Sequence, residues 1–235
     1  ATLVAVASGR MAHGRHADAG PVPAIGVQLY TVRILLEKDF EGTLAALAAI
    51  GLREVEFAGY HGRPPEAVRD ALARAGLTAP SAHVPLESVR DDLPRVLDGA
   101  RVMGHRYLVV AWLPEPQRTL DGYRAAADLF NRVGQQVQAG GMQLAYHNHA
   151  FEFAARDGRL PYDILLERCD PRYVAFEMDL YWITRGGQDP LSYFARWPGR
   201  SPLVHVKDSG GPPDHRMRDV GAGRIPWKAI FARGQ

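Results

Sequence analysis

The chain has 235 residues, of which 46% are hydrophobic and 23% are charged, with 24 glycines and 17 prolines. These proportions are typical of globular proteins and exclude a coiled coil, a collagen-like repeat and a mainly disordered polypeptide. Lysine and arginine number 28 against 26 aspartates and glutamates, a net charge of +2. Because both signs are interleaved, no nucleic-acid partner is expected. No run approaches the roughly 20 apolar residues of a membrane-spanning helix, so no membrane partner is expected either.

Residues 1–24 have no clear periodicity and are rich in Ala, Gly and His. We predict a flexible N-terminal segment, for which two interpretations stay open. The apolar run LVAVASG is compatible with the remnant of a secretory signal peptide, which would indicate export to the periplasm. A plain extension would fit a cytoplasmic protein equally well.

From residue 25 onward, short apolar or β-branched runs alternate with longer helical patterns. Strands are predicted at 24–30, 53–57, 78–83, 106–112, 142–149, 173–179 and 202–208. Helices are predicted at 38–50, 64–75, 88–103, 119–139, 161–169, 189–196 and 226–232. This alternation predicts parallel strands joined by right-handed crossovers.

Seven strands and one further helix favour a (β/α)8 TIM barrel over residues 25–235 rather than an open sheet. The first strand is not followed by the glycine-rich phosphate loop of a dinucleotide-binding fold. A barrel usually needs roughly 250 residues, so strand 8 is expected to be lacking, as in a chain truncated at its C-terminus after strand 7. The edges of the first and seventh strands would then be unpaired, unless another chain completes the barrel.

The C-terminal ends of barrel strands carry the chemistry of this fold. Because side chains alternate between the two faces of a strand, a set of polar and aromatic residues is predicted to point inward at one level. This set is Gln28, Tyr30, Glu56, His83, Trp112, His147, His149, Glu177, Asp179, His205 and Lys207. One such residue alone would be explained by packing, but seven strands ending in this way indicate a site.

Imidazole and carboxylate groups are concentrated on the fifth, sixth and seventh strands, a mixture that suits divalent Mn, Zn, Mg, Co or Fe. We predict Asp179 and His205 as metal ligands, with His149 or His147 from the fifth strand. Glu152, beyond that strand, is expected to reach into the site. A metal-free polar network around a sugar is the alternative and would use the same residues.

Seven motifs occur in a characteristic order: GVQLYTVR, EVEFAGY, SAHVPL, AYHNHAFEF, FEMDLYW, HVKD and VGAGRIPWKAIFA. Together they resemble the xylose-isomerase-like TIM barrels known as sugar phosphate isomerases/epimerases, and the resemblance extends from residue 25 almost to the end. The AYHNH form is closer to inosose dehydratases and keto-glycoside lyases. The resemblance implies metal-dependent proton transfer on a sugar or polyol.

Carried over by position, Asp179 resembles the family's ligand on the sixth strand and His205 its ligand on the seventh. The fifth-strand ligand is usually a glutamate, whereas His147 stands at the matching place here. His147 therefore either binds metal or acts as a base with His149 as the ligand. The family's last ligand is a glutamate on the eighth strand, which this sequence does not provide.

Removal of a proton next to a carbonyl leaves negative charge on oxygen, which a metal stabilises while a base and an acid move the proton. We predict His147 or Glu177 as the base and Lys207 as the group that polarises or protonates an oxygen. Lys207 is alternatively an ion-pair partner of Asp208 or Glu177.

Five side chains are predicted to contact the substrate: Gln28, Glu56, His83, Trp112 and Glu152. The predicted function is a sugar isomerase/epimerase or a dehydratase/lyase. Assembly into a homo-oligomer stays open. The alternative is a catalytically degenerate barrel that binds a carbohydrate or a partner protein.

Overall fold

The computed structural model describes residues 3–6 and 25–233, with the side chains of residues 25–232. The strands are β1 (Leu3–Val6), β2 (Ile25–Gln28), β3 (Glu54–Ala58), β4 (Thr78–Val84), β5 (Tyr107–Val110), β6 (Gln143–His147), β7 (Val174–Asp179), β8 (Leu203–Val206), β9 (Asp208–Ser209) and β10 (Met217–Arg218). Strands β2 to β8 correspond to the seven predicted strands, and each predicted helix is present. The predicted seven parallel strands with alternating helices are confirmed.

The helices are α1 (Arg33–Lys38), α2 (Phe40–Ala49), α3 (Pro65–Ala75), α4 (Leu86–Asp91), α5 (Leu93–Met103), α6 (Leu120–Ala139), α7 (Pro161–Arg168), α8 (Leu180–Arg185), α9 (Pro190–Arg196) and α10 (Trp227–Arg233). The single helix predicted at 88–103 is divided at Asp92, whose backbone is not helical. Pro94 explains the break, since it has no N–H and its ring excludes a continuous helix. None of the helices in the described ranges is long and apolar enough to cross a membrane.

Strands β2 to β8 are parallel neighbours in chain order, and β1 lies between β8 and β2 as an antiparallel strand that closes the barrel. Leu3 stands opposite Val27 on one side and Val206 on the other. The prediction of a flexible segment over 1–24 is therefore wrong for Leu3–Val6, and the expected unpaired edges are paired. The physical reason is that two strand edges with free N–H and C=O groups accept a short extended segment. Residues 7–24 lie outside the described part of the chain.

The register of the strands sets the level of the inward-facing polar side chains. His147 on β6 stands opposite Glu177 on β7, and Asp179 stands opposite His205 on β8. On the other side of the barrel, Glu56 on β3 stands opposite Gln28 on β2. The described parallel strands thus bring the predicted ring to one end of the barrel.

An apolar layer lies below this ring. It consists of Val109, Ala145, Ala175 and Leu203, which are buried and in mutual contact. Three of them precede a ring residue by two positions and therefore point to the same inner face. The layer closes the floor of the site and limits the entry of water from below.

Candidate active site

Four side chains from four strands contact one another at the centre of the ring, and we call them the four-residue cluster: Glu56, His83, Glu177 and His205. The Nε2 atom of His83 lies 2.8 Å from Oε2 of Glu177 and 2.9 Å from Oε1 of Glu56. The Nε2 atom of His205 lies 2.9 Å from Oε1 of Glu56 and 3.2 Å from Oε2 of Glu177. Only His83 has appreciable exposure, with 14% of its side chain accessible.

Asp179 forms a second centre beside this cluster. Its Oδ1 atom accepts hydrogen bonds from the backbone N–H groups of Tyr181 and Trp182 and thereby caps α8. Its Oδ2 atom lies 2.6 Å from Nζ of Lys207 and 3.3 Å from Nε2 of His147. The sequence pattern predicted Asp208 or Glu177 as the alternative ion-pair partner of Lys207, whereas the structure pairs Lys207 with Asp179.

Charges on neighbouring groups dominate the protonation of the four-residue cluster. Burial raises the pKa of Glu56, but the charges and hydrogen bonds of His83 and His205 outweigh it and hold that pKa well below its usual value. Burial and the charge of Glu56 raise the pKa of Glu177 to about 7. Burial lowers the pKa values of both imidazoles, but the two carboxylates outweigh it and raise them to about 10 for His83 and about 9 for His205.

The other two site histidines are neutral near pH 7. Burial and the charge of His205 hold the pKa of His147 well below its usual value, and burial lowers the pKa of His149 to about 4. At Asp179 burial raises the pKa, but the charge of Lys207 and the histidine hydrogen bonds hold it well below the usual value. Nδ1 of His147 has no hydrogen-bond partner among the described residues. With Nε2–H directed at Asp179, His147 keeps a lone pair on Nδ1.

A cavity of about 320 Å³ opens at this end of the barrel. Eight of the predicted ring residues border it: Gln28, Tyr30, His83, Trp112, His147, His149, His205 and Lys207. Trp112 is 52% exposed and meets the ring of His149 edge-on, with the ring centroids 5.1 Å apart. The cavity therefore combines one large aromatic surface with several groups that donate or accept hydrogen bonds, a combination found in small-molecule sites.

A larger cavity of about 900 Å³ lies between α3 and α5, outside the strands. Its charged side chains, Arg63, Glu66, Asp92 and Arg95 among them, are exposed. Of the ring residues, only His83 borders both cavities. The smaller cavity is therefore the one that coincides with the titratable groups.

Glu152 does not reach the cavity, contrary to the predicted substrate contact. It is fully buried, and its oxygens accept hydrogen bonds from Tyr146 Oη at 2.7 Å and from the backbone N–H of His149 at 2.8 Å. Burial raises the pKa of Glu152 to about 7. Its position behind β6 makes it a support for the turn that carries His149.

Among the described residues, two groups of donor atoms lie close enough to hold a metal ion, within 4.8 Å of one another: the four-residue cluster, and His147 with Asp179 and His205. Mixed imidazole and carboxylate donors suit divalent transition metals. His149, predicted as a ligand, belongs to neither group, since its ring stacks on Phe151 instead. Glu56 and His83, predicted to bind substrate, are placed among the candidate metal ligands.

Two supporting residues were not singled out from the sequence. Ser81 donates a hydrogen bond from Oγ to Oε2 of Glu56 at 2.7 Å, and Asn148 accepts one at Oδ1 from the backbone N–H of Asp179 at 3.0 Å. Ser81 precedes His83 by two positions, so the alternation of side chains would have indicated it. Asn148 follows β6 in a turn, where no such periodicity applies.

A family model of the xylose isomerase-like TIM barrel matches residues 39–233. The chain belongs to this family. The resemblance predicted from the sequence motifs is thereby confirmed, and the TIM-barrel fold class with it.

Among curated relatives of this family member are inosose dehydratases from Lacticaseibacillus casei and from Geobacillus thermodenitrificans (strain NG80-2). Each is 24% identical to the chain over 193 residues, which cover 73% of the chain and 64% of the relative. The chain thus spans less than two thirds of the length of these relatives.

Solved structures give the same fold. A sugar phosphate isomerase/epimerase from Parabacteroides distasonis ATCC 8503 superposes with a TM-score of 0.74 at 25% identity, covering 89% of this chain and 82% of that one. A probable 3-DHS dehydratase from Bacillus anthracis superposes with a TM-score of 0.66 at 12% identity, covering 88% and 86%. The latter similarity shows the fold alone.

Proposed function

We propose that this chain catalyses metal-dependent proton transfer at a carbon next to a carbonyl group of a sugar or polyol, as an isomerase/epimerase or a dehydratase/lyase. The observation that carries the proposal is a neutral imidazole with a free lone pair, His147, held by an ionised carboxylate beside an ammonium group, at a cavity of about 320 Å³. This volume lies at the lower end of ligand pockets, which favours one small molecule. Inosose dehydratases among the relatives support a polyol ketone as substrate.

His147 is the better candidate for the base. A base must offer a lone pair to a proton of the substrate. His147 borders the cavity, and its Nδ1 atom is buried without a hydrogen-bond partner among the described residues. Asp179 accepts from Nε2 and stabilises the imidazolium that forms when Nδ1 takes the proton. Glu177, the other predicted base, has no exposed surface and contacts the imidazoles of His83 and His205, so it reaches a substrate only through these two rings.

Lys207 is the candidate acid. Its Nζ atom is held by Asp179 at 2.6 Å, borders the cavity and retains 12% exposure of the side chain. An ammonium fixed in this way donates a hydrogen bond to an oxygen on which charge develops, or a proton to a departing hydroxyl. In a dehydration the carbon-bound proton goes to His147 and the hydroxyl leaves as water. In an epimerisation His147 takes the proton from one face of the carbon, and Lys207, as the second group, supplies a proton to the opposite face.

A divalent cation bound by the imidazoles and carboxylates of the ring would supply Lewis-acid stabilisation of the developing oxygen charge. Trp112 offers an apolar face for the C–H side of a sugar ring, and Gln28, which borders the same cavity, offers an amide. These contacts orient the substrate carbon toward His147.

Deuterium exchange tests the proposal. The protein with Mn²⁺ is incubated in D₂O with an inosose and with a panel of ketohexoses. Proton NMR follows the loss of the signal from the hydrogen on the carbon next to the carbonyl. We expect exchange with the wild type, a loss of at least 100-fold in His147→Gln, and no loss in His61→Asn, a control at a partly exposed histidine outside the site. Loss of water by mass spectrometry distinguishes dehydration from epimerisation.

Two results would count against this function. Exchange that is unaffected by His147→Gln would remove His147 as the base. Sugar binding by calorimetry without exchange for any member of the panel would favour the alternative of a carbohydrate-binding barrel without catalysis.

A further inference from the structure

The four-residue cluster has a geometry that hydrogen bonding alone does not explain. Its donor atoms alternate around a ring, Oε1 of Glu56, Nε2 of His83, Oε2 of Glu177 and Nε2 of His205, with successive separations of 2.9, 2.8, 3.2 and 2.9 Å. Each imidazole carries at most one hydrogen on Nε2, whereas each Nε2 lies close to two carboxylate oxygens. Four short contacts are thus served by two hydrogens at most.

A single cation at the centre of the ring would engage all four atoms. Metal–nitrogen and metal–oxygen bonds of about 2.0–2.2 Å place neighbouring ligands about 2.8–3.1 Å apart when they meet at right angles, and farther apart in a tetrahedron. The observed separations match ligands that meet at right angles. Imidazole donors favour Mn, Fe, Co or Zn over Ca or Mg.

The surroundings of the cluster are those of a supported metal site. Ser81 holds the second oxygen of Glu56 at 2.7 Å, and Nδ1 of His205 faces Oδ2 of Asp179 at 3.6 Å. A carboxylate behind a ligating imidazole is the usual arrangement around protein-bound metals. Oε1 of Glu177 is buried without a hydrogen-bond partner among the described residues, so this carboxylate has a further donor atom available.

Asp179 is less suited to direct coordination. Oδ1 is taken by two backbone N–H groups of α8, and Oδ2 by the ammonium of Lys207 at 2.6 Å. A dication next to this ammonium would meet like charge at short range in a buried site.

We propose that the divalent cation binds to Glu56, His83, Glu177 and His205, with Asp179 outside the coordination shell. In this arrangement Asp179 positions His147, Lys207 and His205. The inference rests on the metal dependence in the proposed function and names the residues that provide it. His83 and His205 border the cavity, so a cation bound here remains within reach of a substrate oxygen.

The experiment measures metal affinity rather than turnover. Chelator-treated protein is titrated with Co²⁺ by calorimetry and by visible absorption. His83→Gln and His147→Gln form a matched pair of imidazole removals, because His83 belongs only to the four-residue cluster and His147 only to the other group. We expect one Co²⁺ per chain, an affinity at least 100-fold lower in His83→Gln, and less than a tenfold change in His147→Gln.

Glu177→Gln is the near-isosteric second variant if His83→Gln does not fold, as judged by circular dichroism, and a loss of at least 100-fold is again expected. Three outcomes overturn the assignment: a wild type that binds no Co²⁺ below millimolar concentration, a greater loss in His147→Gln than in His83→Gln, or equal losses in both. If the wild type catalyses deuterium exchange but its Co²⁺ affinity depends on His147, this metal site is refuted and the proposed function stands. If Co²⁺ affinity depends on the four-residue cluster but no deuterium exchange occurs, the metal site stands and the proposed function is refuted.

Discussion

The buried carboxyl group of Glu152 provides a direct test of the electrostatics behind β6. Glu152 is fully buried and its pKa is raised from 4.5 to about 7, chiefly by burial, although Tyr146 and the backbone N–H of His149 donate hydrogen bonds to it. The difference from the usual value corresponds to about 3 kcal/mol of unfolding free energy. The substitution Glu152→Gln removes the titration and keeps an amide that pairs with the same two groups.

The sign follows from proton counting. Below pH 4.5 the native and unfolded states both hold the proton of Glu152. Between pH 4.5 and about 7 the unfolded chain releases it while the native state keeps it, so the free energy of unfolding falls as the pH rises. Above about 7 this loss is complete. Relative to the wild type, Glu152→Gln is therefore expected to gain about 2–3 kcal/mol between pH 5 and pH 8.

Urea unfolding followed by circular dichroism at pH 5, 6, 7 and 8 measures this difference. The exposed Glu115, changed to Gln, is the matched control for loss of one carboxylate. A wild-type-to-variant difference that stays constant within about 0.5 kcal/mol across this range would refute the argument that burial controls the Glu152 pKa.

Three further substitutions test other parts of the structure. Asp208→Asn is expected to lower the free energy of unfolding by about 3 kcal/mol in urea titrations. The buried carboxylate of Asp208 accepts five hydrogen bonds, including one from Trp227 Nε1 at 2.7 Å, and an amide cannot accept them all. Trp112→Ala is expected to raise the KM for the sugar about tenfold in steady-state assays while kcat changes less than threefold, because the ring provides binding surface only. Gly134→Ala is expected to lower Tm by about 3–10 °C in calorimetry, because a Cβ there would lie 2.7 Å from the carbonyl oxygen of Tyr173.

Controls accompany these substitutions. Asp214→Asn removes an exposed carboxylate from the same loop as Asp208, and equal losses in the two would contradict a special role for Asp208. Gly99→Ala adds a methyl group to another helical glycine with its nearest neighbour at 3.4 Å, so its Tm is expected to hold or rise. If Trp112→Ala reduces kcat as strongly as it raises KM, Trp112 does more than bind.

Much of the architecture follows from the sequence because its signals are local. The alternation of apolar runs and helical patterns predicts β2 to β8 and their helices, and parallel strands place their C-terminal ends on one side. Side-chain alternation then predicts an inward ring with Glu56, His83, Glu177 and His205 at one level. The same alternation gives no information about Glu152, which follows β6 in a turn and faces away from the cavity.

Contacts between side chains across the barrel could not be predicted from the sequence, since a local pattern predicts the face of the strand on which a residue lies but not its neighbours. Glu56 and His205 are 149 positions apart and meet at 2.9 Å. The pairing of Lys207 with Asp179, and the approach of His147 rather than His149 to that carboxylate, depend on the register of β6, β7 and β8. The antiparallel β1 depends on two edges that only the assembled sheet presents. Local patterns in the sequence predict the order of β2 to β8 and the kinds of group in the site. The contacts between particular atoms follow only from the tertiary structure, because closure of the barrel joins residues that no local pattern relates.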